Sequence, residues 1–315
     1  MNNDDELLAV KAAELYYDEN KTQGEIGALL NLTRWKVGRL LSDARERGII
    51  RIEIVHPRAR RLPLERRLKD ELGLADAVVV PEGQPLDVEG LQSRVALAAA
   101  EYLTTVRPVP RTLGISWGRT LELVADSLRP GWATGVNVVQ INGGISVNRR
   151  TSSAAHTAFL ISHKASGTAT LLPSPAILEH EATKLAIEED RTVAGVLEQA
   201  REASAYIYSA GRVDQQSVLV DSGYLTAAEV AALAEHGAVG DVLGHYIDAS
   251  GSIVDPELDA RTVGLGLDEL RAAQHSIAVI AGASKHEICR TVVASGLCTV
   301  LVTDEGTARY LLEAS

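Results

Sequence analysis

The rhythm of apolar positions changes once along the chain, near residue 75. Before that point, Leu7, Leu8, Ala12 and Leu15 form one helical stripe, with Lys11 on the same spacing. Ile26, Leu29 and Leu30 form a second, and Val37, Leu40, Leu41 and Ala44 a third. The spacing i, i+3, i+4, i+7 marks amphipathic helices. Asn31-Leu32 reads as a tight turn, Thr33 as the N-cap of the helix that follows, and Gly48 as its end. "IIRIEIV" then alternates as a strand. Short helix, tight turn, second helix and strand together predict a winged helix-turn-helix.

Beyond Ala75 the pattern becomes short, near-continuous apolar runs: "DAVVVP", "RTLGIS", "VNVVQIN", "GTATLLP", "SAYIYSA", "HSIAVIAGA" and "LCTVLVTD". Helical stretches over 88–105, 119–128, 153–165, 192–203, 226–235, 285–295 and 305–312 alternate with them. Strands apolar on both faces, alternating with helices, predict an α/β domain with a mostly parallel, Rossmann-like sheet. The expected organisation is a helix-turn-helix DNA-binding domain over 1–56, a linker or oligomerisation helix over 57–72, and a large α/β domain over 73–315. In the linker, Leu64, Leu68 and Leu72 fall on one helical face, suited either to pairing two protomers or to capping the larger domain.

Composition narrows the class. Aromatics make up only 4% of the 315 residues, so the cores must be built from Ala, Val, Leu and Ile. No apolar run approaches the roughly 20 residues of a membrane-spanning helix, and the acidic start lacks the order of a signal peptide. Two cysteines are too few for a disulfide scaffold or a cysteine-based zinc site. The expectation is a cytoplasmic protein without membrane association, metal or cofactor.

Charge is distributed unevenly. The whole chain carries −11, yet residues 31–69 hold 12 Lys and Arg against 4 Asp and Glu. A compact basic segment on an acidic body is the footprint of a small nucleic-acid module. On the second helix of the motif, Arg34, Trp35, Lys36 and Arg39 lie off the apolar stripe. Arg34 and Arg39 suit guanine edges, while Lys36 suits a phosphate. Gln23, Thr33 and Arg51 complete the expected DNA-contacting set, Gln23 and Arg51 against the backbone.

In an open α/β sheet, ligands bind at the carboxyl ends of strands. Those ends are 116–120, Asn142-Gly143-Gly144, Ser209-Ala210-Gly211 and 281–285. Glycines admit close approach of backbone N–H groups, helix starts favour anions, and Arg119 and Lys285 add positive charge. The combination points to a phosphate on a small molecule. One stretch offers a competing chemistry: Gly114-Ile115-Ser116-Trp117-Gly118 matches the G-x-S-x-G of a nucleophile elbow. A triad would draw on Asp241, His245, Asp248 or His286, but no oxyanion stretch precedes Ser116, and the expectation is a ligand loop.

The stretches "TQGEIGALLNLTRWKVGRLLSDARERGIIRIEI", "LGISWGRTL", "VVQINGGIS", "KASGTATLLPSP", "GDVLGHYIDASGSIVD" and "IAVIAGASKHEICRTVVASGLCTVLVTDEGTARYLL", in that order, resemble the SorC/DeoR family of bacterial sugar-responsive transcriptional regulators. The resemblance implies an effector domain folded like glucosamine-6-phosphate deaminase and ribose-5-phosphate isomerase. It also implies a phosphorylated sugar effector, double-stranded operator DNA as partner, a homodimer or tetramer, and more often repression than activation. It places the phosphate loop on Gly118, Arg119 and Thr120, with Ser116 lining it. A second loop falls on Asn142, Gly143 and Gly144, with Ser153 in the following helix. Asp241 would accept from sugar hydroxyls, and Lys285 would balance the ligand's charge. Asn142 stands where some members carry a basic residue, Ser209 lacks a glycine many members show, and Trp117 is bulkier than usual. The alternative within the same fold is a sugar-phosphate isomerase or deaminase, with Asp241 or His245 as acid or base.

Overall fold

The computed structural model describes residues 3–50, 60–82, 88–144, 154–215 and 217–313. Two compact units divide the chain, one ending at Val55 and the other starting at His56.

Three helices build the first unit: α1 (Asn3–Tyr17), α2 (Gln23–Leu30) and α3 (Arg34–Glu46). Thr22 and Glu25 form a capping box, the Thr22 hydroxyl accepting from the Glu25 N–H and the Glu25 carboxylate from the Thr22 N–H. Asn31, at φ 55°, ends α2 in the left-handed conformation. The Thr33 hydroxyl then accepts from the Lys36 N–H at 3.2 Å and starts α3. Ala9 and Ala12 of α1 pack on Val37, Leu40, Leu41 and Ala44 of α3, while Leu7 points outward at 66% exposure. Small side chains at this contact let the helices approach closely, so the α1 stripe is rotated from the leucine-based expectation. The expected strand passes outside the described residues at Arg51.

The second unit starts with α4 (Leu62–Leu72), β1 (Asp76–Val80) and α5 (Val88–Leu103). Next come β2 (Thr112–Ile115), α6 (Arg119–Ser127), β3 (Asn137–Gln140), α7 (Ala154–Lys164) and β4 (Thr168–Thr170). Helices α8 (Glu181–Glu188) and α9 (Arg191–Arg201) lead to β5 (Ala205–Tyr208) and β6 (Ala210–Gly211). After α10 (Val218–Asp221) and α11 (Ala227–Glu235) come β7 (Gly240–Val242), β8 (His245–Ile247), α12 (Pro256–Asp259) and α13 (Leu267–Ala272). The chain finishes with β9 (Ser276–Val279), α14 (His286–Ala294), β10 (Val300–Asp304) and α15 (Glu305–Glu313).

Seven strands form one parallel sheet in the order β1-β10-β9-β5-β2-β3-β4, and each coincides with an apolar run read from the sequence. Alternation sorts their side chains. Val78 and Val80 join α5, α6 and α7 on one face, while Ala77 and Val79 join α4, α9, α14 and α15 on the other. A small antiparallel sheet, β6-β7-β8, sits beside the main one and was not anticipated from sequence. Two-residue and three-residue strands leave too short a period to detect.

Helix α4 packs into the second unit, with Leu68 buried in the core shared by β1 and α15. Glu65, 4% exposed, accepts from Val79 N–H and from the Arg60 guanidinium, and the Arg61 N–H donates to the Val79 carbonyl. The outer edge of β1 is thereby closed to pairing with another strand.

Candidate ligand cleft and nucleic-acid face

Strand order reverses between β2 and β5: the chain runs outward from β2 to β3 and β4, while β5 pairs on the opposite side of β2. At such a switch point, the connections diverge and a crevice opens at the carboxyl ends. Here the crevice is a cleft of about 700 Å³. Ser116, Trp117, Gly118, Arg119 and Thr120 line it from the β2–α6 junction, and Asn142 from the end of β3. Ser209, Ala210, Gly211 and Arg212 follow β5, Asp241, Leu243 and Gly244 come from the small sheet, and Ser284 and Lys285 follow β9. Helix α5 contributes Glu89, Gln92 and Ser93, and α6 contributes Glu122 and Asp126.

Local sequence explains the phosphate-suited wall. Gly118, at φ 124°, adopts a conformation that side chains disfavour, and it turns the chain directly from β2 into α6. Among the described residues no side chain caps α6, and the positive end of its dipole lies at the cleft beside Thr120. Arg119 is exposed at this end, 3.9 Å from Asp221, and Arg212 lies 2.9 Å from Asp214.

Lys285 ends a short 3-10 turn, Ala283–Lys285. Its ammonium donates to the Ala210 carbonyl at 2.6 Å and to the Ser209 hydroxyl at 3.3 Å. Burial pulls its pKa down to about 8, against the upward pull of Asp241. Asp241 is 7% exposed, and burial pushes its carboxyl up to about 6, opposed by the Gly244 N–H at 3.0 Å and by Lys285. Its other oxygen lies so near Gly211 that a Cβ there would sit 1.8 Å away.

Of the expected ligand residues, Ser116, Gly118, Arg119, Thr120, Asn142, Asp241 and Lys285 line the same cleft. Gly143 and Gly144 do not. Their N–H groups donate to the carbonyls of Val263 and Ser174, and the Gly143 carbonyl accepts from the Trp117 indole at 2.7 Å. Both pack against neighbouring chain outside the cleft lining, with their N–H groups already donated to carbonyls. Ser153 lies outside the described residues. Arg212, missed by the sequence reading, carries the same signal as Arg119 and Lys285, a cation just past a strand-end glycine. Gln92 and Ser93 had no such signal, because a helix from another part of the chain brings them in.

The hydrolase constellation is not assembled. Ser116 is 5% exposed, does not have positive φ, and no histidine lines the cleft among the described residues. His245 has Nδ1 2.6 Å from Asp259 and Nε2 3.1 Å from the Leu265 carbonyl, so both ring nitrogens are occupied. Asp248 organises a turn with Ser250 and Ser252, and His286 stacks on Tyr310 with ring centroids 4.5 Å apart.

On the first unit, α3 displays Arg34, Trp35 and Arg39 to solvent, with Lys36 half-buried. Trp35 is 72% exposed, and the Arg39 guanidinium lies 5.7 Å above its ring. Gln23, at the start of α2, packs over Gly38 of α3, and Thr33 uses its hydroxyl as the α3 cap. Arg51 lies outside the described residues.

Residues 56–313 match a family model described as "Putative sugar-binding domain". The chain is 31% identical to the deoxyribonucleoside regulator of Bacillus subtilis over 312 residues, 99% of each chain. It is 28% identical to the sorbitol operon regulator of Klebsiella pneumoniae over 324 residues, again 99% of each. The crystal structure of the full-length sorbitol operon regulator SorC from Klebsiella pneumoniae superposes with a TM-score of 0.72 at 26% identity, over 99% of this chain and 100% of that one. These likenesses run the full length of the chain and so cover both its N-terminal three-helix unit and the unit that carries the cleft. The chain belongs to the SorC/DeoR family of bacterial sugar-responsive transcriptional regulators.

Proposed function

We propose that this protein is a cytoplasmic repressor of sugar-metabolism genes whose operator affinity is set by a phosphorylated sugar held in the cleft. The observation that carries the reading is the meeting of the uncapped start of α6 with Arg119, Arg212 and Lys285 at one cleft. A phosphate there receives backbone N–H groups, the Thr120 hydroxyl and charge from three cations, while Asp241 accepts from sugar hydroxyls. Helix α3 enters the major groove, where Arg34 and Arg39 read base edges and Lys36 meets the backbone. A homodimer presents two such helices and a tetramer two pairs of them, so the operator is a pseudo-palindrome with half-sites a helical turn or a multiple apart.

Regulation is linkage. The sugar phosphate binds the two DNA-affinity states unequally, by about 1–3 kcal/mol for a useful switch. The test pairs two assays on the full chain, operator binding and calorimetric binding of sugar phosphates. Arg39→Ala should weaken operator binding and leave the sugar phosphate unaffected, while Lys285→Ala and Thr120→Ala should do the reverse. Equal losses in both assays would overturn the division of labour. Turnover of a sugar phosphate by the DNA-free protein would instead support the isomerase or deaminase alternative.

A further inference from the structure

Asn142 ends β3 with its side chain in the cleft wall, 4% exposed, and its Oδ1 has no hydrogen-bond partner among the described residues. Gly264 packs against it from the adjoining chain so closely that a Cβ there would lie 2.7 Å from the Asn142 Cα. The two residues also form an antiparallel bridge, which fixes the backbone at this point. Asn142 therefore cannot withdraw to find a partner elsewhere. A buried acceptor left unpaired is costly, and a ligand that brings a donor to it is favoured over one that does not.

A second buried acceptor, Asp241, lines the cleft with Asn142. Its carboxylate accepts from the Gly244 N–H at 3.0 Å. Three further carboxylates, Glu89, Glu122 and Asp126, line the cleft, so acidic groups outnumber Arg119, Arg212 and Lys285. Three cations suit one phosphate, which carries about −1.5 to −2. A second phosphate in the same cleft would meet acceptors and like charge.

We propose that Asn142 is a specificity-determining residue that accepts a hydrogen bond from a ligand hydroxyl, and that the effector is a sugar monophosphate rather than a bisphosphate. This rests on the sugar-phosphate reading of the cleft. The hydroxyl facing Asn142 is the group by which the protein separates sugars that share a phosphate.

The experiment is calorimetry on the full-length protein with four probes: inorganic phosphate, a panel of aldose and ketose monophosphates, their deoxy analogues, and the matching bisphosphates. In the wild type, one deoxy analogue of the best monophosphate should bind at least about tenfold more weakly, and the bisphosphate should bind more weakly than the monophosphate. In Asn142→Leu that hydroxyl preference should vanish while inorganic phosphate binds as in the wild type, which also reports an intact fold. Asn142→Asp keeps an acceptor oxygen and should keep the preference. Sugar monophosphate affinity unchanged in Asn142→Leu, or tighter binding of a bisphosphate by the wild type, overturns the assignment while the sugar-phosphate reading stands. A wild type that binds no sugar phosphate overturns that reading and this one with it.

Discussion

The Asp304 carboxylate accepts a hydrogen bond from the Gly282 N–H at 2.7 Å, tying the end of β10 to the loop that carries Lys285. Asp304 is 1% exposed and also receives the Thr307 N–H and hydroxyl. Replacing it with Ala strands these donors, and each buried unpaired group costs about 1–3 kcal/mol. Asp304→Ala should therefore lower the thermal midpoint and weaken binding of the sugar phosphate that the wild type binds best in the calorimetric panel. Asp304→Asn, which retains an acceptor, should lose less in both measurements. Unchanged ligand affinity in a destabilised Asp304→Ala would show that the loop holds Lys285 without this brace.

Gly211 and Asp241 are related by the absence of a side chain. A Cβ at Gly211 would lie 1.8 Å from the Asp241 carboxylate, so Gly211→Ala must push that carboxylate out of place. The expected outcome is loss of the sugar-phosphate response in operator binding, with DNA affinity in the absence of ligand retained. Crystallography of the variant would report the displaced carboxylate directly.

The two buried charges of the cleft set a pH window. Asp241 titrates at about 6 in the folded protein against 3.8 ordinarily, so the native state holds this proton more tightly. Stability from this group is lost as pH rises from about 4 through 6, and it stays lost above. Lys285 titrates at about 8 against 10.5, so the native state gives up its proton sooner, and stability returns as pH rises from 8 towards 10.5. Asp241→Asn should therefore raise the thermal midpoint of the ligand-free protein at pH 7.5 and leave it nearly unchanged at pH 4. Phosphate binding, which favours charged Lys285, should weaken as pH climbs past 8. A flat affinity between pH 7 and 9 would mean Lys285 does not serve the anion.

In the first unit, Thr33→Ala removes the α3 cap and should cost about 1 kcal/mol in denaturant unfolding of the DNA-binding unit. Lys36→Ala should lower the slope of log affinity against log salt by about 0.9, the signature of one lost phosphate contact. Arg39→Ala should instead cost about 1–3 kcal/mol and relax preference at one base pair. Identical salt slopes for wild type and Lys36→Ala would remove Lys36 from the backbone contacts.

The large sheet was legible because its strands are buried on both faces and must be continuously apolar, as in Val78, Val79 and Val80. The helix-turn-helix was legible through Thr33 and the Val37, Leu40, Leu41 stripe, where caps and packing obey local rules. The rotation of α1 was not, because Leu7 and Ala9 are both acceptable helix residues and only the distance to α3 selects alanine for the interface.

By itself, the sequence determined which segments become strands and helices, where glycines and cations follow strand ends, and which segment is basic. These properties depend on neighbours within a few positions. Tertiary structure decided which strand ends share a cleft, because that follows from the order β9-β5-β2-β3, which no local pattern encodes. The same packing assigned Gly143 and Gly144 to internal hydrogen bonds, brought Gln92 and Arg212 to the ligand wall, and occupied both nitrogens of His245. It also left the Asn142 oxygen buried without a partner among the described residues, since burial and pairing are properties of the assembled fold and not of any residue alone.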